Sequence, residues 1–218
     1  MKNRYSSHLF WGVHSPLSSL TGAGLIIMAS SKLAFAILCA AALVWVYSLT
    51  TLAFSGAQRI MPIRGKSIIL LFLSAFMSGM FILLVGLLNP LLILGTGFFL
   101  VLIPPCCLAS GFFDDSESPS LGETVLRSLL EAGALAIIII AVALIREPLG
   151  QGTLSIPGGI QGIIEIFDFY SENGFFPVRF FSVSAGGLLL LGYGTALFRY
   201  LREQGGNTPR GEAPEAGL

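Results

Sequence analysis

The chain is short of charge. Only 11% of its 218 residues are Asp, Glu, Lys or Arg, against about 25% in a soluble globular domain. The twelve acidic and twelve basic residues cancel, so no excess of one sign draws the chain to nucleic acid or to an acidic partner. Cysteine is scarce as well. Cys39, Cys106 and Cys107 are too few, and lie too deep in apolar sequence, for the disulfide framework of a small secreted domain. Adjacent Cys106 and Cys107 are poorly placed to bridge each other, which leaves a metal, a cofactor or plain burial for them. The two histidines, His8 and His14, precede the first apolar segment beside Tyr5, Phe10 and Trp11, a composition that suits an interfacial segment. No P-loop, no CxxC and no assembled Ser, His and Asp set is present, which argues against a self-contained enzyme of the soluble type.

What is abundant is apolar sequence, 54% of the chain, and it comes in blocks. Leu33 to Gln58, Ser67 to Leu88, Pro90 to Phe113 and Phe180 to Phe198 contain no charged residue. Each is near or above the roughly 20 residues that cross the hydrocarbon core of a bilayer as a helix. Two further spans are expected: Thr124 to Ile145, which carries Arg127 and Glu131, and a short one from Pro16 to Ser31 with Gly22 and Gly24 inside it. The short one lacks a small-x-small cleavage site and is followed by more spans, so it reads as a retained helix and not a signal peptide. The fold class expected is therefore an all-α integral membrane protein: one six-span domain over residues 1–203, then a disordered cytoplasmic tail over 204–218 whose Gly, Pro and charge content cannot support a core. Nine of the twelve Lys and Arg residues fall on the side of both termini and only Lys32, Arg146 and Arg179 on the other, which places both termini in the cytoplasm.

Two interruptions divide the chain into halves of three spans each. "TGAG", Thr21 to Gly24, is expected to interrupt the first span, and "IPPCCLASG", Ile103 to Gly111, the fourth, where Pro104 and Pro105 remove backbone donors and clash with the preceding turn. Freed backbone groups are tolerated within a membrane only against protein or a water-filled cavity. Three spans per half put the halves in opposite orientation, the layout of an inverted repeat. Glu131, a turn or two inside the fifth span with Arg127 four residues before it, is a candidate for ion coupling, because an ionisable residue in a span is costly. Arg146, Glu147 and Pro148 are expected to end the fifth span. "GQGTLSIPGG" supplies turns after it, and Ile160 to Phe176 spaces Glu165, Asp168 and Glu172 like a helix lying in the interface.

"IREPLGQGTL", Ile145 to Leu154, resembles the Arg-Glu-x-Leu-Gly-x-Gly-Thr-Leu signature of the six-helix membrane subunits of the Na⁺-translocating NADH:quinone reductase (Nqr) and the Rnf ferredoxin:NAD oxidoreductase. Arg146, Glu147, Leu149, Gly150, Gly152, Thr153 and Leu154 carry the match. The resemblance implies a subunit of the bacterial inner membrane that pairs with a paralogous six-helix subunit and with flavin and iron–sulfur redox subunits. It also implies electron transfer coupled to Na⁺ or H⁺ movement, and a [2Fe–2S] cluster shared with the paralogue. In that family one cysteine of each subunit lies in an Asn-Cys-x-x-x-Gly pattern, here matched by Cys107 and Gly111 with Cys106 in place of Asn. The other lies in a Gly-x-Cys motif, written here Gly22-Ala23-Gly24. Glycine stands where that ligand is expected, so the chain offers Cys107, with Cys106 beside it, and the cluster is left short of a donor. Two other readings stay open: a small secondary transporter, and a non-redox assembly or scaffold protein on the same fold, which Gly24 favours.

Overall fold

The computed structural model describes residues 20–57, 65–109, 121–158, 162–168 and 178–206. In chain order these form α1 (Leu20–Ala29), α2 (Leu33–Ala57), α3 (Lys66–Leu88), α4 (Pro90–Leu100), α5 (Ile103–Ala109), α6 (Leu121–Gln151), β1 (Thr153–Pro157), β2 (Ile163–Asp168), α7 (Arg179–Ser182) and α8 (Ser184–Gly206). The architecture is mostly helical, with one two-stranded hairpin that the all-α expectation did not include. Four helical stretches are long and apolar enough to cross a membrane: Leu33–Ala57, Lys66–Leu88, Pro90–Ala109 and Thr124–Gln151. The apolar part of α8, Ser184–Leu197, is shorter.

The centre of the bundle is α2. Its alanines, Ala34, Ala36, Ala40 and Ala42, are buried, and small side chains let neighbouring helices approach closely; α6 takes the largest share of the α2 surface and α3 the next. Leu43, Val46 and Tyr47 of α2 join Phe81 and Val85 of α3, Leu100 of α4, Ile103 of α5 and Leu135 and Ile139 of α6 in one core. The outer faces are the reverse of a soluble protein. Phe72, Phe76, Leu83 and Leu87 on α3 and Leu94 and Phe98 on α4 are all more than half exposed, a contiguous apolar surface of the kind that marks a membrane or partner contact.

Local chemistry explains where the helices stop. Asn89 alone separates α3 from α4: its N–H continues the α3 ladder to Val85 O at 2.8 Å, its side chain accepts from Leu92 N, and Pro90 opens α4 at a position where a missing N–H costs nothing. The break between α4 and α5 falls at Val101 and Leu102, just ahead of the two prolines, so these residues begin the second helix and do not interrupt its interior. Helical donors for Leu100 O and Val101 O would be the N–H groups of residues 104 and 105, both of which are proline and have none. Ser78 of α3 replaces one of them, its hydroxyl donating to Leu100 O at 3.0 Å. Ser78→Ala leaves that carbonyl unsatisfied in an apolar interior and is expected to destabilise the protein by about 1–3 kcal/mol, read as an earlier thermal transition in detergent, whereas Ser55→Ala, which removes only a bond within its own helix turn to Leu52 O, leaves the transition in place.

Three sequence expectations are corrected. Thr21 to Gly24 does not interrupt the first span in the described part, because α1 runs unbroken through it and ends at the turn of Ser30 and Ser31. Pro148 does not end the fifth span: α6 continues through it to Gln151. Pro148 lacks the N–H that would bond Leu144 O, so one ladder bond is missing, and the stop comes at Gly152, whose φ of 71° takes the left-handed C-cap conformation while its N–H returns to Pro148 O at 3.0 Å. Nor is there an interfacial helix over Ile163 to Asp168. That stretch is β2, antiparallel to β1 with Ser155 opposite Glu165 and Ile156 opposite Ile164. Its β-branched residues alternate with period two: Ile163 packs on the core, Ile164 and Ile166 face outward, and Glu165 between them reaches Lys32 at 4.0 Å. The remainder of the expected helix, with Gly111, His8 and His14, lies outside the described residues.

Candidate functional site: a clasp of helix ends and a thiol cluster at the helix break

Arg146 and Glu147 project from the last turns of α6 into protein, with 2% and 0% of their surface exposed. Arg146 spends its guanidinium on chain ends. Nε donates to Phe181 O at 2.8 Å and Nη2 to Ser182 O at 3.0 Å, both in the last turn of α7. Nη1 donates to Ile27 O at 2.6 Å, in the last turn of α1, and to Ser30 Oγ at 3.1 Å. A cation at helix C-termini answers their unsatisfied carbonyls and partial negative charge, and the five donors of the planar guanidinium are what let one side chain serve two helices at once.

Glu147 does the complementary work at a helix start. Its Oε2 accepts the N–H of Leu33, first residue of α2, at 2.6 Å, and Ser155 from β1 accepts the next N–H, that of Ala34, at 3.4 Å. The carboxylate thus caps the positive end of α2 from another element. Its other oxygen, Oε1, is buried without a hydrogen-bond partner among the described residues. Gln151, one turn on, donates to Ser31 O at 3.2 Å.

Every letter of the Ile145 to Leu154 motif that carried the resemblance now has a place. Leu149 O accepts the N–H of Val178 at 2.9 Å, which brings α7 alongside. Gly150 lies so close to α7 that a Cβ there would stand 2.7 Å from Ser182 N. Gly152 takes the C-cap, Thr153 opens β1, and Leu154 packs on the core. Gly186 and Gly187 complete the joint, and sequence reading missed them. A Cβ on Gly186 would meet Phe181 Cα at 2.6 Å, and one on Gly187 would meet Arg146 Nη1 at 3.1 Å. A glycine pair at the start of the last span was the only signal, and it did not name its neighbour.

The second feature lies at the helix break. Cys106 and Cys107 on α5 are fully enclosed, and so is Cys39 on α2, in the same core cluster; none of the three is in a disulfide. Cys39, read from the sequence as off the site, stands in electrostatic reach of Cys106. Tyr47 donates its hydroxyl to Cys106 Sγ at 4.0 Å. Glu131 on α6 is half-buried and close enough to act electrostatically on Tyr47, Cys106 and Cys107, without forming a metal-holding group with the cysteines. The break between α4 and α5 also has α1 beside it, packed on α5.

The implied [2Fe–2S] cluster does not fit these residues. On α1, Leu25, Ile26 and Ala29 turn inward at 0–1% exposure, whereas Gly24 shares a stripe with Met28, four residues on and 43% exposed. A Cβ at Gly24 would meet nothing within 4 Å, while buried Gly22 lies on the inner side. The position expected to carry a ligand therefore faces away from the packed side of α1, and Cys106 and Cys107 are sealed within. Among the described residues no three His, Cys, Asp or Glu side chains stand together as a metal-holding group. Compared with protein-family models, the chain matches none, and no curated protein matches it.

Proposed function

We propose that the chain is a membrane subunit of a multi-subunit, ion-translocating electron-transfer complex of the Rnf/Nqr type. In this reading six spans form two inverted three-helix repeats in the bacterial inner membrane, with both termini cytoplasmic. The short helix α1 counts as the first span, α4 with α5 as the fourth and the apolar part of α8 as the sixth. A paralogous six-helix subunit packs beside it, and flavin and iron–sulfur subunits carry the nicotinamide or ferredoxin chemistry.

The observation that carries the reading is the burial of Arg146 and Glu147. The one sharp motif shared with that family coincides with the side chains that fasten the ends of α1, α2 and α7 together, so a chain that keeps those letters keeps the joint on which such a scaffold depends. The packing of α1 on α5 supports the repeat layout, since the two short helices of such repeats meet near the middle of the bilayer.

A small secondary transporter is the second reading, favoured by the break at Val101 and Leu102: a carbonyl deprived of its helical donor by Pro105 is a backbone ligand for a cation. Purification of the tagged full-length protein from its native membrane in mild detergent separates the two. Flavin-containing redox subunits in fixed ratio to this chain are expected. A chain that purifies alone, under conditions that keep related complexes whole, sinks the redox-complex reading and leaves the transporter.

A further inference from the structure

A binuclear cluster shared by two chains requires its sulfur donors at the surface where the chains meet, and it takes four of them. This chain does not offer the number, and the thiols it does have are not at a surface. Position 24 has no side chain and lies on the outer stripe of α1 with Met28, while Cys106 and Cys107 lie behind the inner stripe at 0% exposure. Around them the space is already filled by protein. Leu25, Ile26 and Ala29 of α1, Cys39, Leu43 and Tyr47 of α2, and Leu135 of α6 belong to the same continuous core, and the Tyr47 hydroxyl is spent on Cys106 Sγ. Cysteine in such surroundings behaves as a small hydrophobe with a weak hydrogen-bonding capacity.

We infer that the chain is a cluster-free subunit: Cys39, Cys106 and Cys107 remain thiols that pack the interior around the helix break, and electrons crossing the assembly travel on carriers held by its partners. The second half rests on the function proposed above, whereas the first concerns this chain alone. The scaffold is kept where Arg146 and Glu147 fasten it, and the vacancy at position 24 changes only what the scaffold holds.

The test uses the full-length protein from its native membrane. Iron and acid-labile sulfide are assayed, and thiols are counted with a maleimide before and after unfolding in dodecyl sulfate. The expected result is neither iron nor sulfide in proportion to the chain, no labelling of the native protein, and all three cysteines of the sequence labelled after unfolding. Cys107→Ser is expected to change no iron content, and Gly24→Cys to gain none. Iron and sulfide in proportion to the native chain that fall with Cys107→Ser, or that appear with Gly24→Cys, overturn the inference, as does labelling of Cys106 or Cys107 in the native state. Absence of redox partners from the preparation overturns the proposed function instead, and the thiol count still decides this one.

Discussion

Replacement of Arg146 by methionine is expected to prevent stable accumulation of the protein. The change keeps length and apolar bulk while deleting four donated hydrogen bonds, and Ile27 O, Phe181 O and Ser182 O are left without that partner. Ile27 O keeps the Ser30 hydroxyl as a donor, whereas Phe181 O and Ser182 O are stranded at about 1–3 kcal/mol each, so the sum is on the order of 2–6 kcal/mol, a large part of the whole stability of many domains. Among the described residues no acidic side chain contributes to the bonds that hold the guanidinium. The stabilisation comes from helix carbonyls, and salt is expected to screen it little, since the group is buried. Arg146→Lys should fall between, because one ammonium cannot span α1 and α7 as the planar fork does. Membrane abundance together with thermal melting in detergent measures both variants. A methionine variant that melts with the wild type shows that the clasp holds nothing.

The second large effect is steric. Gly186→Ala places a methyl group against the backbone of α7, within 2.6 Å of Phe181 Cα and closer still to Phe180 O. Backbone cannot step aside as the tip of a flexible side chain can, so α8 must shift or α7 must detach, with an expected loss of more than about 3 kcal/mol at the top of the range for overpacked sites. The control lies two turns along the same helix. A Cβ at Gly194 would meet nothing within 4 Å, and Gly194→Ala should raise the melting point slightly, by the ~0.5–1 kcal/mol that alanine gains over glycine inside a helix. Equal behaviour of the two variants would mean that α7 and α8 are not in contact as described.

Much of this arrangement was legible in the sequence, for physical reasons that differ by element. Three of the four long spans announce themselves through uninterrupted apolar runs, since a bilayer imposes a length that few other environments require; the fourth, Thr124–Gln151, carries Arg127 and Glu131, while the charge-free run Phe180 to Phe198, expected as one span, is divided between α7 and the shorter apolar part of α8. Proline at 104 and 105 announces the break, because a missing N–H is a local property. The hairpin did not announce itself. Glu165, Asp168 and Glu172 have the spacing of one helix face and masked the period-two spacing of Ile164 and Ile166, which is only a few residues long and becomes decisive once Thr153 to Pro157 supplies a partner strand. Pro148 misled because a proline forfeits its own ladder bond without having to end the helix, and here the chain turns only at Gly152 in the left-handed conformation. Arg146 and Glu147 were visible as an unusual pair, but their partners lie more than a hundred residues earlier and some thirty-five later, a relation that no local pattern encodes. Gly186 and Gly187 share that limitation, since what makes them necessary is the proximity of another segment.

The reach of the Arg146 clasp sets an order of events during synthesis. The carbonyl of Ile27 is made early, the guanidinium that satisfies it follows after more than half the chain, and Phe181 and Ser182 come later still. Until residue 146 is made, the carbonyls at the C-terminal end of α1 lack that donor, although α1 can already pack on α5. Arg146 then reaches back to Ile27, and its two remaining bonds wait for Phe181 and Ser182. The joint is therefore assembled in stages and closed by the last fifth of the chain.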